Sequence, residues 1–151
     1  MRNRLSVVTA AAIGVLVGLG AFTFHYAEGF SYFSDDPRAC ANCHVMIDHY
    51  DSWQKSSHHA TATCVDCHLP HGGTAEYVEK ARNGFLHSKA FTLESFHEPI
   101  MISPANARTL HDNCLRCHQD LVGGIVAPDP HGAASLDCVR CHSAVGHGSP
   151  R

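Results

Sequence analysis

All eight cysteines of the chain stand in four repeats of one pattern: Cys40-Ala-Asn-Cys43-His44, Cys64-Val-Asp-Cys67-His68, Cys114-Leu-Arg-Cys117-His118 and Cys138-Val-Arg-Cys141-His142. Two thiols three positions apart can each form a thioether to one vinyl group of a porphyrin, and the histidine that follows then reaches the iron. Disulfide and zinc frameworks also use Cys-x-x-Cys, but neither accounts for a histidine after every second cysteine. The pattern predicts four covalently attached c-type haems. In a chain of 151 residues this constrains the whole fold, because four macrocycles must supply much of the hydrophobic core. The expected class is mostly α, with short helices, irregular loops and no regular sheet.

The repeats are unevenly placed. Twenty-four residues separate Cys40 from Cys64 and Cys114 from Cys138, against 50 between Cys64 and Cys114. The haem domain therefore reads as two dihaem units: a haem pair at 40–68, a connection at 69–113 and a haem pair at 114–142. Within the connection, Thr74 to Asn83 has helical character and Gly84 reads as its C′ stop. The segments before the third and fourth motifs read as brief turns or helices, and Pro99, Pro104, Pro128 and Pro130 break the remainder into loops.

Residues 5–24, LSVVTAAAIGVLVGLGAFTF, carry no charge. Twenty helical residues rise about 30 Å, the thickness of a bilayer's hydrocarbon core. A cleaved signal peptide competes with this reading, but its apolar core usually runs only about 7 to 15 residues, and no clean Ala-x-Ala site follows. Residues 1–4 are assigned to the cytoplasm, 5–24 to a transmembrane anchor and 25–151 to the haem domain. Arg2 and Arg4 precede the span, while Glu28, Asp35 and Asp36 follow it, so the positive-inside rule puts the haem domain on the outer face of a bacterial inner membrane. A net charge of -3, with no basic patch, excludes nucleic acid as a partner.

Fourteen histidines exceed what the four motifs use, and ten remain as candidate sixth ligands. His59 stands five residues before Cys64 and His147 five after His142, where the chain approaches or leaves a motif, so both are candidates to serve a haem of the opposite pair. His58 and His131 are the alternatives. The first motif alone continues Val45-Met46, and a methionine two residues beyond His44 competes with it for one iron face. An ordinary packed methionine is the other reading.

The anchor, the Cys-x-x-Cys-His-x-Met start, the run Tyr50-Asp-Ser-Trp-Gln-Lys-Ser-Ser-His-His59, Asn83-Gly-Phe-Leu-His87-Ser and Phe96-His-Glu-Pro99 resemble the NapC/NirT quinol dehydrogenases. Within that family the chain is similar to the short tetrahaem subunits that serve cytochrome c nitrite reductases. The resemblance implies that Met46, rather than His44, holds the first haem and leaves an open iron face beside a quinol site. It implies His68 on the second haem, with a sixth ligand from the partner, His118 and His147 on the third, and His142 and His59 on the fourth. It further implies menaquinol as substrate, the membrane quinol pool as electron source and a periplasmic multihaem nitrite reductase catalytic subunit as partner.

Quinol oxidation also needs a proton acceptor. Lys80 matches a lysine that the family places at the quinol site, but where relatives often carry Lys-Ala-Asp-Asn-Gly this chain has Lys80-Ala-Arg82-Asn83-Gly84. Arginine cannot accept a proton. Glu76 or Glu79 on the same helix, or His87 under an ungapped alignment, are the substitutes, although Glu76 and Lys80 are also spaced for a surface ion pair. Lys80, Arg82, Glu79 and His87 are the quinol-site candidates. Three rival functions remain at this point: a sister dehydrogenase feeding nitrate or other terminal reductases, a free tetrahaem shuttle, and a small-molecule reductase acting at the open haem.

Overall fold

The computed structural model describes residues 2–124 and 137–148. His131, Pro128 and Pro130 lie outside the described residues. Helix α1, Arg2–Tyr26, contains the expected span, and its apolar stretch Asn3–Tyr26 has a mean hydropathy of 2.2 with none of it buried against the rest of the chain. A helix apolar on every side, with none of its span buried, suits lipid. At its end the backbone takes a left-handed turn at Glu28 (φ 55°) and folds into the 3₁₀ turn Gly29–Phe33. Gly29 is required there, because the ring of Phe24 fills the place of a Cβ. Phe24 then meets Phe30 edge-on at 5.0 Å.

Local capping explains the short elements that carry the motifs. Helix α2, Pro37–Cys40, has Pro37 at its first position, and its cap Asp36 accepts a hydrogen bond from the Arg38 N–H at 2.9 Å. The 3₁₀ turn His44–Met46 leads into α3, Ile47–Trp53, and the Trp53 indole N–H holds α3 to the next segment through the Ala62 carbonyl at 3.0 Å. Helix α4, Cys64–His68, opens with a capping box in which the Thr63 N–H and hydroxyl both donate to Asp66, at 2.8 and 2.7 Å. Asp66 lies between the two cysteines of the motif, so the motif carries part of its own helix start.

Helix α5 runs Thr74–Thr92, α6 runs Pro104–Val122 and α7 runs Cys138–Cys141. No strand occurs among the described residues, as the sequence suggests. Two expectations are corrected. The helix does not stop at Gly84 but continues eight residues further, because the missing Cβ serves packing: one placed there would come within 3.0 Å of the Tyr32 ring. The segment before the third motif is not a brief turn, since Ser103 caps α6 through the Asn106 N–H at 3.2 Å and the helix runs on through Cys114, Cys117 and His118. Positions i, i+3 and i+4 share one helical face, so the motif fits the helix without interrupting it.

Leu69 is the buried apolar side chain among the described residues, whereas Tyr77, Val78, Phe85 and Leu86 are exposed. The protein's own packing amounts to very little core, which is what a fold that encloses large covalent cofactors requires. Two buried polar residues, Lys80 and Asn113, carry much of what tertiary order there is. The Asn113 amide donates to the carbonyls of Cys67 at 3.0 Å and Leu69 at 2.8 Å, tying α6 to the end of α4. Asn113→Leu is expected to leave both carbonyls without this donor and to destabilise the haem-loaded protein by about 2 kcal/mol. Urea unfolding followed by haem absorbance measures it, and an unchanged midpoint would remove Asn113 from the framework.

Candidate functional site

The attachment cysteines neighbour one another in chain order. The Cys40 thiol shares a hydrogen bond with Cys64, which holds Cys40 low and pushes Cys64 up. Cys67 is raised by burial, then by Asp66 and by Cys117 of the third motif. Cys114 is pushed up to about 11, by burial first and then by Cys138 of the fourth motif and Cys67 of the second. Helix α2 packs on α4, α4 on α6 and α6 on α7. The four attachment points thus follow one another in a single file, with the second motif and the third in contact as well as the members of each pair.

The donor chemistry fits c-type haem. Each site offers two thiols and an imidazole, and no disulfide joins any of the eight cysteines. Among the described residues, no three His, Cys, Asp or Glu side chains converge as a zinc site requires. His68 is held down to about 4, by burial first and then by His147 and His49. Its imidazole is therefore neutral at physiological pH, the form that binds iron.

The distal candidates fall in unexpected company. The His147 ring stacks on that of His68 at 5.9 Å, with 16° between the planes, and lies 4.8 Å from His49. The His118 ring meets His58 edge-on at 6.0 Å, and His58 donates through Nδ1 to the Val145 carbonyl at 3.2 Å. That bond leaves its Nε2 for a metal. His59 meets Trp53 edge-on at 4.8 Å, and His142 follows α7 as its exposed C-cap. Among the described residues, no ring contact joins His118 to His147 or His142 to His59. Met46 closes the 3₁₀ turn that His44 opens.

One face of α5 gathers the second part of the site. Glu76, Lys80, Gly84 and His87 follow one another at helical spacing. Lys80 is only 8% exposed, and its ammonium donates to Asp35 at 2.6 Å and lies 2.7 Å from Glu76. A longer contact of 3.5 Å reaches the Ser34 carbonyl, and the Tyr77 ring lies 5.5 Å away. Burial alone would lower this ammonium, but its hydrogen bonds to the two carboxylates outweigh burial and leave it raised. Its charge is felt at Cys40. The Tyr32 phenol, raised by burial and then by Cys43 and Cys40, packs on Gly84 of the same helix face. Lys80 is therefore within electrostatic reach of the first attachment site and is held by Asp35, from the segment that follows α1.

The remaining candidates separate. Arg82 pairs with Glu79 at 2.6 Å, so these two occupy each other. His87 is lowered by burial alone, which makes it a weaker proton acceptor than an ordinary histidine. Asp35 is the residue that sequence reasoning missed as a site group. It stands 45 positions from Lys80, and nothing in its local spacing marks it.

Comparison with known proteins places this geometry. The model of the NapC/NirT cytochrome c family, N-terminal region, matches residues 1–151. The chain is 41% identical to the cytochrome c-type protein NrfH of Wolinella succinogenes, over 96% of this chain and 85% of that one. It is 28% identical to the cytochrome c nitrite reductase subunit NrfH of Nitratidesulfovibrio vulgaris, over 95% of this chain and 84% of that one. Its fold is similar to a chain in the crystal structure of the cytochrome c nitrite reductase NrfHA complex bound to the HQNO inhibitor. The TM-score there is 0.65 at 28% identity, covering 96% of this chain and 92% of that chain.

Proposed function

The chain belongs to the NapC/NirT cytochrome c family, a membrane-anchored group carrying covalently bound haem c, and from that premise we propose that it is the quinol dehydrogenase subunit of a cytochrome c nitrite reductase. It carries four haems, oxidises menaquinol at the outer face of the bacterial cytoplasmic membrane and passes electrons to a periplasmic multihaem catalytic subunit that performs the nitrite chemistry. The observation that carries this reading is Lys80, buried within electrostatic reach of the first attachment site and held by Asp35 from the segment that follows the anchor. The similarity to NrfH along nearly the whole chain supports the choice of nitrite reductase over nitrate reductase as the destination.

When bound, haem supplies a one-electron acceptor at each motif. The protein's part is to hold the haems in file, to position quinol near the first and to remove its protons. Met46 would hold the first haem, His68 the second, His118 and His147 the third, and His142 and His59 the fourth. One observation favours a second reading for the third haem. The 6.0 Å between His58 and His118 is close to what two metal–imidazole bonds of about 2 Å and two ring radii require.

Purification from membranes in mild detergent tests both levels of the proposal. Co-purification of a multihaem catalytic chain is expected, with a preparation that quinol reduces; a chain recovered without its anchor in the soluble fraction would favour a shuttle instead. In the purified complex, His147→Ala is expected to turn one low-spin haem high-spin. If His58→Ala does so and His147→Ala does not, the third haem takes the second reading.

A further inference from the structure

The mechanism so far leaves unassigned how the proton leaves a lysine that is itself held protonated. We propose that Asp35 is the proton outlet of the quinol site, acting through Lys80, while Glu76 also pairs with the ammonium. This deepens the quinol dehydrogenase reading and rests on it. Lys80 is 8% exposed, Glu76 is 26% exposed and Asp35 is 70% exposed, with ammonium–carboxylate distances of 2.7 and 2.6 Å. Lys80 and Asp35 therefore form a short path from a buried ammonium to water.

The other charged or titratable groups around Lys80 do not supply that path. Tyr77 offers a ring face 5.5 Å away, Tyr32 packs further along on Gly84, and Cys40 becomes a thioether when haem is attached. Glu79 is engaged with Arg82. Asp35 comes from the segment between the anchor and the first motif, so the outlet is built by the chain's return to α5.

An N–H bond of the Lys80 ammonium breaks first as its proton moves to Oδ1 of Asp35, which leaves a neutral amine; a quinol O–H bond then breaks as its proton moves to the lone pair on Nζ. Lysine returns to an ammonium and aspartate has become a carboxylic acid. Asp35 then releases the proton to water, and the second quinol proton follows the same path. The two electrons would leave one at a time to the haem held at the first motif, which would pass the first to its neighbour before taking the second, as the quinol becomes quinone. Asp35 is in this sense a positioning residue, since it touches Lys80 and not the quinol.

The test uses the intact complex with haems attached. Asp35→Asn is expected to lower kcat for quinol oxidation about tenfold with KM unchanged, and to keep the haem spectrum and the binding of HQNO, the inhibitor named with the related complex. Asp35→Glu, and acetate added to the Asp35→Asn protein, are each expected to restore most of the rate, which a purely structural role would not allow. Full kcat in Asp35→Asn, a loss that neither glutamate nor acetate repairs, or loss of HQNO binding would overturn the outlet. An unaltered complex that no quinol reduces would instead overturn the quinol reading beneath it.

Discussion

A complex carrying Lys80→Ala is expected to oxidise quinol about a hundredfold more slowly than the unaltered one, while its haem content and dithionite-reduced spectrum stay the same. The reasoning starts from burial. An ammonium that is only 8% exposed persists because Asp35 and Glu76 lie on it at 2.6 and 2.7 Å. Without it, two carboxylates face each other across a small gap, and their repulsion favours protonation of one or separation of both. Either outcome removes the charge that steadies a developing quinolate and breaks the path for its proton. Lys80→Arg separates the two roles, because arginine keeps the charge but does not give up a proton; it is expected to bind quinol and remain slow. Stopped-flow reduction of the haems by a menaquinol analogue measures both variants. A Lys80→Ala complex within twofold of the unaltered rate would remove Lys80 from the site.

Replacing Cys64 and Cys67 together by serine is expected to cost more than one haem. The second motif forms α4, which packs against both α2 and α6. Its cysteines adjoin Cys40 of the first motif and Cys117 of the third. Leu69, the buried apolar side chain, and the carbonyls that Asn113 binds lie at its end. Where cofactor attachment supplies most of the core, the free energy of binding is also free energy of folding. The chain is therefore expected to fail to accumulate in the membrane rather than to appear with three haems, as read by haem staining of denaturing gels and by immunoblot. Normal membrane levels of a three-haem chain would show that the haems stabilise the fold independently. The corresponding change at Cys138 and Cys141 acts at the end of the file and is expected to be milder.

The parts that were legible in the sequence are those whose cause is local. The four motifs state their chemistry within five residues each, and the anchor states its own within twenty. Asp66 caps α4 from inside the motif, whereas Pro104, taken along the sequence as a loop breaker, follows the Ser103 cap and opens α6. Gly84 was misread for the opposite reason. A glycine after a helical run is a stop when the chain must turn, but here its missing side chain makes room for Tyr32, a residue from the exit of the anchor. Helix α6 exceeded expectation because a Cys-x-x-Cys-His pattern read as a landmark is also a compatible helical turn.

By itself, the sequence determined that this chain carries covalent c-type haem chemistry, that one apolar segment is long enough to anchor it, and that it resembles the NapC/NirT cytochromes. Each of these follows from residues adjacent along the chain, where covalent spacing does the work. Only the tertiary structure decided that the motifs stand in one file, that Arg82 and Glu79 pair with each other, and that Asp35 completes the surroundings of Lys80. The physical reason is that a buried ammonium must find its carboxylates in space, and the 45 positions between Asp35 and Lys80 carry no pattern that a reading along the chain could follow.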